Sequence, residues 1–249
     1  TPPTQQLLRK LKGGPLEVTL YVNLLDFQFD NLEPTKEHRT INDLWEQYIR
    51  FKPDIDFKFV YYYNTDTGSY VYKTNPGKSI REIAQKYAKS HRYDLKRFLS
   101  PDEVDRLVDT KAEGYRCFFQ LKYNGRSDIL RTFKDPIVYP RENEVAAAIN
   151  RLIDTLPKIS FLCDEIERGP FSQRLRDYKD LTTEVDSRYA LINQGYNVDT
   201  LSLKRGDIPA DIAALVIADP RTTIDSGSMR KIYDYIDAGG NLFIASEPD

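Results

Sequence analysis

The run AALVIADP, residues 213–220, is apolar without interruption until it meets an aspartate and a proline. A strand of that composition is buried on both faces, and a sheet achieves this only where helices cover both sides, as in parallel α/β folds. The segments around it keep the same rhythm. KISFLCD (158–164) and YNVDTLSL (196–203) read as strands, and residues 229–238 place Ile232, Tyr235 and Ile236 on one helical face before the short apolar strand NLFIA (241–245). A long helix is expected over 171–194, ended by Gly195, and Asp225 is positioned to cap the last helix. Strand, helix, strand, strand, helix, strand at this spacing predicts an open, mostly parallel sheet.

Gly239 and Gly240 stand between that last helix and NLFIA. A phosphate-cradling glycine loop follows a strand and opens a helix, so that backbone N–H groups face the anion. Here the order is reversed, and the pair reads as a helix C-cap, where glycine takes the left-handed conformation at little steric cost.

The first half has a different pattern. LEVTLYV (16–22) follows a Gly-Gly-Pro breaker and reads as a strand, then INDLWEQYIRF (41–51) reads as a helix opened by a Thr40/Asp43 capping box, and DIDFKFVYYYN (54–64) as a strand. In the aromatic stretch VYYYN (60–64), alternate rings are expected to divide between core and cross-strand packing, with a binding platform as the other reading. Ser79/Glu82 and Ser100/Pro101/Glu103 mark two further helix starts. Asn124-Gly125 sits between apolar runs as a tight hairpin turn, and ENEVAAAINRLIDTL (142–156) follows as a helix. This order is that of a thioredoxin-like α/β layer without a Cys-x-x-Cys pair. Pro157 separates the two patterns, so the expected domains are residues 1–156 and 157–249.

With 36 basic and 38 acidic residues and a pI near 5.8, the chain lacks the basic footprint of a nucleic-acid binder. No apolar run reaches the roughly 18 residues of a membrane span, and no signal peptide opens it. Its first residue is Thr and it closes just after a strand, as expected of a segment cut from a longer protein. Cys117 and Cys163 lie in apolar runs and are expected to be buried structural thiols.

A Ser or Cys nucleophile needs a histidine base, and the two histidines, His38 and His91, both precede residue 157. No nucleophile elbow appears, so acyl-transfer catalysis is not expected; a divergent hydrolase or amidotransferase would have to borrow one of these histidines. Structural zinc takes about four thiolate or imidazole ligands, and the whole chain holds four such residues, scattered from His38 to Cys163, so zinc binding is not expected and no cofactor is implied. What remains is charge at strand ends. CDEIERG places Asp164, Glu165, Glu167 and Arg168 after one strand, ADPRT places Asp219 and Arg221 after another, and SEPD (246–249) follows the last. In open α/β sheets ligands sit outside those ends, so Glu165, Glu167, Arg168, Asp219 and Arg221 form the candidate ligand-binding crevice, for a sugar, peptide or ion. The reading favoured over a ligand site is a solvated loop whose carboxylates cap the following helices.

Several blocks, in order, resemble the extracytoplasmic region of GldG-type, gliding-motility-associated auxiliary proteins of ABC transporters, common in Bacteroidetes. They are TPPTQQLLRKLKGGPLEVTLYV, ENEVAAAINRLIDTLPKISFL, LINQGYNVDTLSL, DIPADIAALVIADPRTTID and IYDYIDAGGNLFIA. Many relatives carry a Gly-His-Gly-Glu type turn where this chain has CDEIERG. The resemblance implies a thioredoxin-like domain followed by a flavodoxin or glutamine-amidotransferase-like domain without catalytic residues. It further implies a non-enzymatic periplasmic module, held at the inner membrane by flanking helices, whose partners are an ABC permease and its ATPase.

Overall fold

The computed structural model describes residues 1–172 and 176–246, and the chain divides into two compact units, Thr1–Ile153 and Asp154–Asp249. Unit 1 runs α1 (Pro2–Lys10), β1 (Leu16–Asn23), α2 (Phe29–Leu32), α3 (Glu37–Ile49), β2 (Ile55–Tyr62), α4 (Tyr70–Lys73), α5 (Ile80–Ser90), α6 (Pro101–Val104), β3 (Phe118–Tyr123), β4 (Arg126–Arg131) and α7 (Glu142–Ile153). Its sheet has the order β2-β1-β3-β4, with β1 and β2 parallel and β3 antiparallel to both β1 and β4. This is the mixed layer of a thioredoxin-like α/β domain.

Strand alternation decides which side chains enter which core. Val18, Leu20 and Val22 of β1 join Phe119 and Leu121 of β3 in the larger cluster. There Trp45 of α3 meets Tyr48, Phe57 and Phe119 edge-on at 5.6–5.7 Å. The alternate residues Tyr21, Tyr62 and Phe118 form a second cluster with Val104 of α6. All three tyrosines of VYYYN are buried, with the Tyr62 hydroxyl donating to the Arg116 carbonyl at 2.6 Å, so the stretch is packing and not a platform.

Local signals are realised as read from the sequence. Ser79 N–H donates to Glu82 at 2.8 Å while Glu82 N–H donates back to the Ser79 hydroxyl at 3.3 Å, and Ser100/Glu103 repeats the box. Asn124 (φ 47°) and Gly125 (φ 76°) make the β3–β4 turn. Thr40 does not cap a helix, however. A 3₁₀ turn at Pro34–Lys36 feeds α3, which is under way by Glu37, and Asp43 pairs instead with Arg39 at 3.1 Å, one turn back.

Unit 2 runs β5 (Lys158–Leu162), α8 (Lys179–Thr182), β6 (Asn197–Leu201), β7 (Ile212–Ala218), α9 (Ser226–Asp237) and β8 (Leu242–Ala245). Its sheet is all parallel, in the order β6-β5-β7-β8. Asp225 caps α9 by accepting from the N–H groups of Gly227 and Ser228 at 2.8 and 3.0 Å. Gly239 ends the helix at φ 89°. Gly240 is required for a second reason, since a Cβ there would stand 2.4–2.5 Å from the Tyr235 ring.

The long helix expected over 171–194 is not formed. Residues 173–175 lie outside the described residues, and the described remainder holds the single turn α8 and a 3₁₀ turn at Leu191–Asn193. Short polar side chains have taken the backbone groups that a helix would use. Thr182 Oγ1 donates to the Pro170 and Tyr178 carbonyls, and Asn193 Nδ2 donates to the Val185 and Ser187 carbonyls. No helix among the described residues is long and apolar enough to cross a membrane.

Candidate functional site

In unit 2, β6 lies on one side of β5 and β7 on the other, so the strand order reverses between β5 and β7. Outside the carboxyl ends of the strands at such a point lies the usual ligand crevice of an open α/β sheet. The strands stop at Leu162 and Ala218, which puts the loops beginning at Cys163 and Asp219 on either side of it. Backbone bonds fix both loops. Arg168 N–H donates to the Ala218 carbonyl at 2.8 Å, Arg221 N–H to the Glu165 carbonyl at 2.9 Å, and Asp219 N–H to the Ala245 carbonyl at 2.7 Å. Among the described residues of these loops, Ile166 at φ 59°, Arg176 at φ 69° and Asp219 at φ 54° adopt left-handed backbone without being glycine.

The predicted side chains are brought together, and apart from Glu167 Oε1 their carboxylates are engaged by one another's loops or by Lys204 and Thr222. Asp219 Oδ2 accepts from Arg168 Nε at 2.9 Å and is met by Arg221 at 2.6 Å. Glu167 Oε2 accepts the Glu165 N–H at 2.7 Å. Glu165 itself is held by Lys204 at 2.5 Å on one oxygen and by the Thr222 hydroxyl on the other. Asp164 accepts from the backbone N–H groups of Leu203 and Lys204, at 2.5 and 3.3 Å. The carboxylates lie beneath the cations. Side-chain exposure is 8% for Glu165 and 10% for Asp219, against 51% for Lys204 and 54% for Arg221.

Lys204 and Thr222 were not legible as site residues. Lys204 is 39 residues from Glu165 in sequence and reaches it because β6 lies beside β5; its place just past that strand, opening KRGD, was the available signal.

Electrostatics follow from these contacts. The hydrogen bonds from Lys204 and then Thr222 hold the Glu165 carboxyl below its usual range, and Glu165 in turn raises the Lys204 ammonium. Burial pushes Asp164 up, but hydrogen bonds from Ser202 and the two backbone N–H groups overcome it and leave it lowered. A general base works best with a pKa near the working pH. Glu165, held low with both oxygens occupied, is arranged to tie loops together.

Cys163 is exposed and not the buried thiol expected, because it is the first residue past the end of β5; its Sγ contacts the Leu201 carbonyl at 3.3 Å. Burial of the group, then Asp164 and Glu167, pushes its pKa up. Cys117 is buried in unit 1, where its N–H donates to Asp26 at 2.8 Å and its Sγ accepts the Asn23 N–H at 3.4 Å. Both histidines belong to unit 1, and His91 there faces Asp30 at 3.3 Å and the Phe29 ring at 5.0 Å. Among the described residues no group of three or more His, Cys, Asp or Glu is placed to hold a metal ion. SEPD is described only at Ser246, and residues 247–249 lie outside the described residues.

Residues 156–249, a span that takes in nearly all of unit 2, match the model of an ABC transporter auxiliary family described as an ABC-type uncharacterized transport system. This similarity supports an auxiliary component of an ABC transport system. No curated protein and no solved structure matches the chain significantly.

Proposed function

We propose that this chain is a non-enzymatic module of an ABC-type transport system, of the GldG type and associated with export or gliding, acting through contacts with an ABC permease, its ATPase or their cargo. In this reading it faces the periplasm and is anchored by membrane helices flanking these residues. The similarity of residues 156–249 to an ABC transport family supports the system. The observation that carries the mode of action is the state of the crevice. Glu165 and Asp219, the carboxylates best placed for a ligand, are engaged by Lys204, Thr222, Arg168 and Arg221.

The full-length protein, tagged in its native cell and purified from gently solubilised membranes, is expected to bring down an ABC permease and ATPase in stoichiometric amounts. Recovery of the protein alone, or with unrelated enzymes only, would sink the proposal. A second reading, a module that binds a sugar, peptide or ion, rests on one atom. Glu167 Oε1 is buried without a hydrogen-bond partner. A ligand that donates to that oxygen would stabilise unit 2 in a thermal shift assay, and the shift would vanish in Glu167→Ala.

A further inference from the structure

Unit 1 holds an open cavity of about 300 Å³ between α1, α3 and the start of α7, at the small end of the range for ligand cavities. Thr4, Gln5 and Leu8 line it from α1, with Gln47 and Tyr48 from α3. Phe51 joins them from the turn that ends α3, where its N–H donates to the Tyr48 carbonyl at 2.9 Å. Tyr48 is the unusual member. It is 3% exposed, its ring meets Trp45 edge-on at 5.6 Å, and its hydroxyl makes no hydrogen bond to any described residue. A buried hydroxyl without a partner costs free energy, and the cavity that Tyr48 lines is where a partner can reach it.

The groups around that hydroxyl set the chemistry of the cavity. Burial, then Glu142 and Glu144, push the phenol pKa up, so Tyr48 stays an O–H donor. The side-chain amides of Gln5 and Gln47 also make no hydrogen bond to a described residue, and each offers both donors and an acceptor. The charged residues are already paired. Arg50, which lines the cavity, meets Glu46 at 2.6 Å. Glu142 is held by the Thr1 amine and by the Thr1 hydroxyl, the latter at 2.8 Å, and Glu144 accepts the Arg141 N–H at 2.6 Å. What stays unpaired is neutral, one phenol and two amides, beside the apolar side chains of Leu8 and Phe51.

We infer that this cavity binds a sugar, a neutral ligand whose hydroxyls accept from Tyr48 and exchange hydrogen bonds with the Gln5 and Gln47 amides while its C–H face packs against Leu8 and Phe51. A phosphate or carboxylate would meet no unpaired cation among the described lining residues and would sit near Glu142 and Glu144. A purely apolar ligand would leave the phenol and both amides without partners. A sugar meets both demands, since each of its hydroxyls donates and accepts and its ring carbons are apolar. The site belongs to unit 1 alone, and the inference does not rest on the transport-module reading.

The test uses the full-length protein, kept free of sugar-headed detergents, with ligand-observed NMR titrations of glucose, galactose, mannose and N-acetylglucosamine, and of inorganic phosphate as the anionic probe. Saturable binding of at least one of the four sugars is expected. Tyr48→Phe removes the hydroxyl and keeps the ring, and it should weaken that binding ~5-fold or more. It should melt at the same or a higher temperature, because no hydrogen bond within the protein is lost. Gln47→Ala, at an exposed position, should weaken binding with the melting temperature unchanged. Binding by none of the four sugars would overturn the site. Equal binding by the wild type, Tyr48→Phe and Gln47→Ala would place the sugar elsewhere and overturn it too. Phosphate binding more tightly than any of the sugars, and weakened by the same two substitutions, would overturn the neutral ligand.

Discussion

Replacing Asp219 separates the two constraints that meet at that residue. Its carboxylate is the shared partner of Arg168 and Arg221, in a pair with Arg168 whose side chains are 10% and 11% exposed, and its backbone is left-handed at φ 54°. Removing one partner of a buried ion pair costs about 3–5 kcal/mol, and this pair, less than fully buried, belongs at the lower end, ~3 kcal/mol. A left-handed residue with a Cβ and no polar side chain adds about 1 kcal/mol. Asp219→Ala should therefore lose ~4 kcal/mol. Asp219→Gly, free of the backbone term, should lose ~3 kcal/mol. Asp219→Asn tolerates the conformation and keeps an acceptor, so ~2 kcal/mol is expected. For a unit of this size each kcal/mol lowers the melting temperature by about 4–8 °C. Trp45, the single tryptophan, belongs to unit 1, so unit 2 should be followed by hydrogen exchange of peptides covering β5 and β7 under increasing urea. The order Ala, Gly, Asn from worst to best is the signature. If all three cost under about 0.5 kcal/mol, the pair is a screened surface contact and the crevice is not closed by it. If Gly and Ala cost the same, the backbone contributes nothing.

Gly240→Ala would press a methyl into the Tyr235 ring and should cost about 1–3 kcal/mol. The cost should largely disappear in a Tyr235→Ala background, as a double-mutant cycle in urea would read. Burial holds the Asp26 carboxyl above its usual range despite the N–H bonds it accepts from Gln28 and Cys117. A raised acid favours the folded state when protonated, so its contribution is full below about pH 4 and is lost as pH rises through the folded value. Asp26→Asn should accordingly flatten the pH dependence of the urea midpoint on the acid side, and an unchanged profile would contradict the assignment. A thiol reagent should modify one cysteine in the native protein, Cys163, slowly because its pKa is raised, and reach Cys117 only in denaturant. Mapping of the first adduct to Cys117 would reverse that assignment.

What the sequence revealed was whatever local chemistry alone controls. The Ser79/Glu82 and Ser100/Glu103 boxes, the Asn124-Gly125 turn and the Gly239 cap each need a few neighbouring residues and no tertiary context. The crevice was legible for a related reason: every parallel strand delivers the residue after its end to the same edge, so Glu165 and Asp219 could be placed together once β5 and β7 were recognised as strands. The state of that crevice was not legible. Its closure depends on Lys204 and Thr222, which are reached only through sheet order and loop path. The failed helix has the same physical origin, because an apolar periodicity over 171–194 cannot show that Thr182 and Asn193 will turn inward to backbone carbonyls. Thr40 was misplaced because the chain enters α3 through the turn at Pro34–Lys36, whose last residue lies four residues before the sequence cue.

Whether the strand ends of unit 2 are filled by their own side chains is decided by a ligand-induced thermal shift of that unit against a panel of sugars, short peptides and divalent ions. A true ligand at a hundred times its dissociation constant would add ~2.7 kcal/mol, enough to raise the melting temperature by roughly 10 °C or more. With Glu165 and Asp219 already held by Lys204, Thr222, Arg168 and Arg221, no member of the panel should move it. A shift of that size, abolished by Glu165→Ala or Asp219→Asn, would show that the ion pairs open for a ligand and that unit 2 is a binding domain.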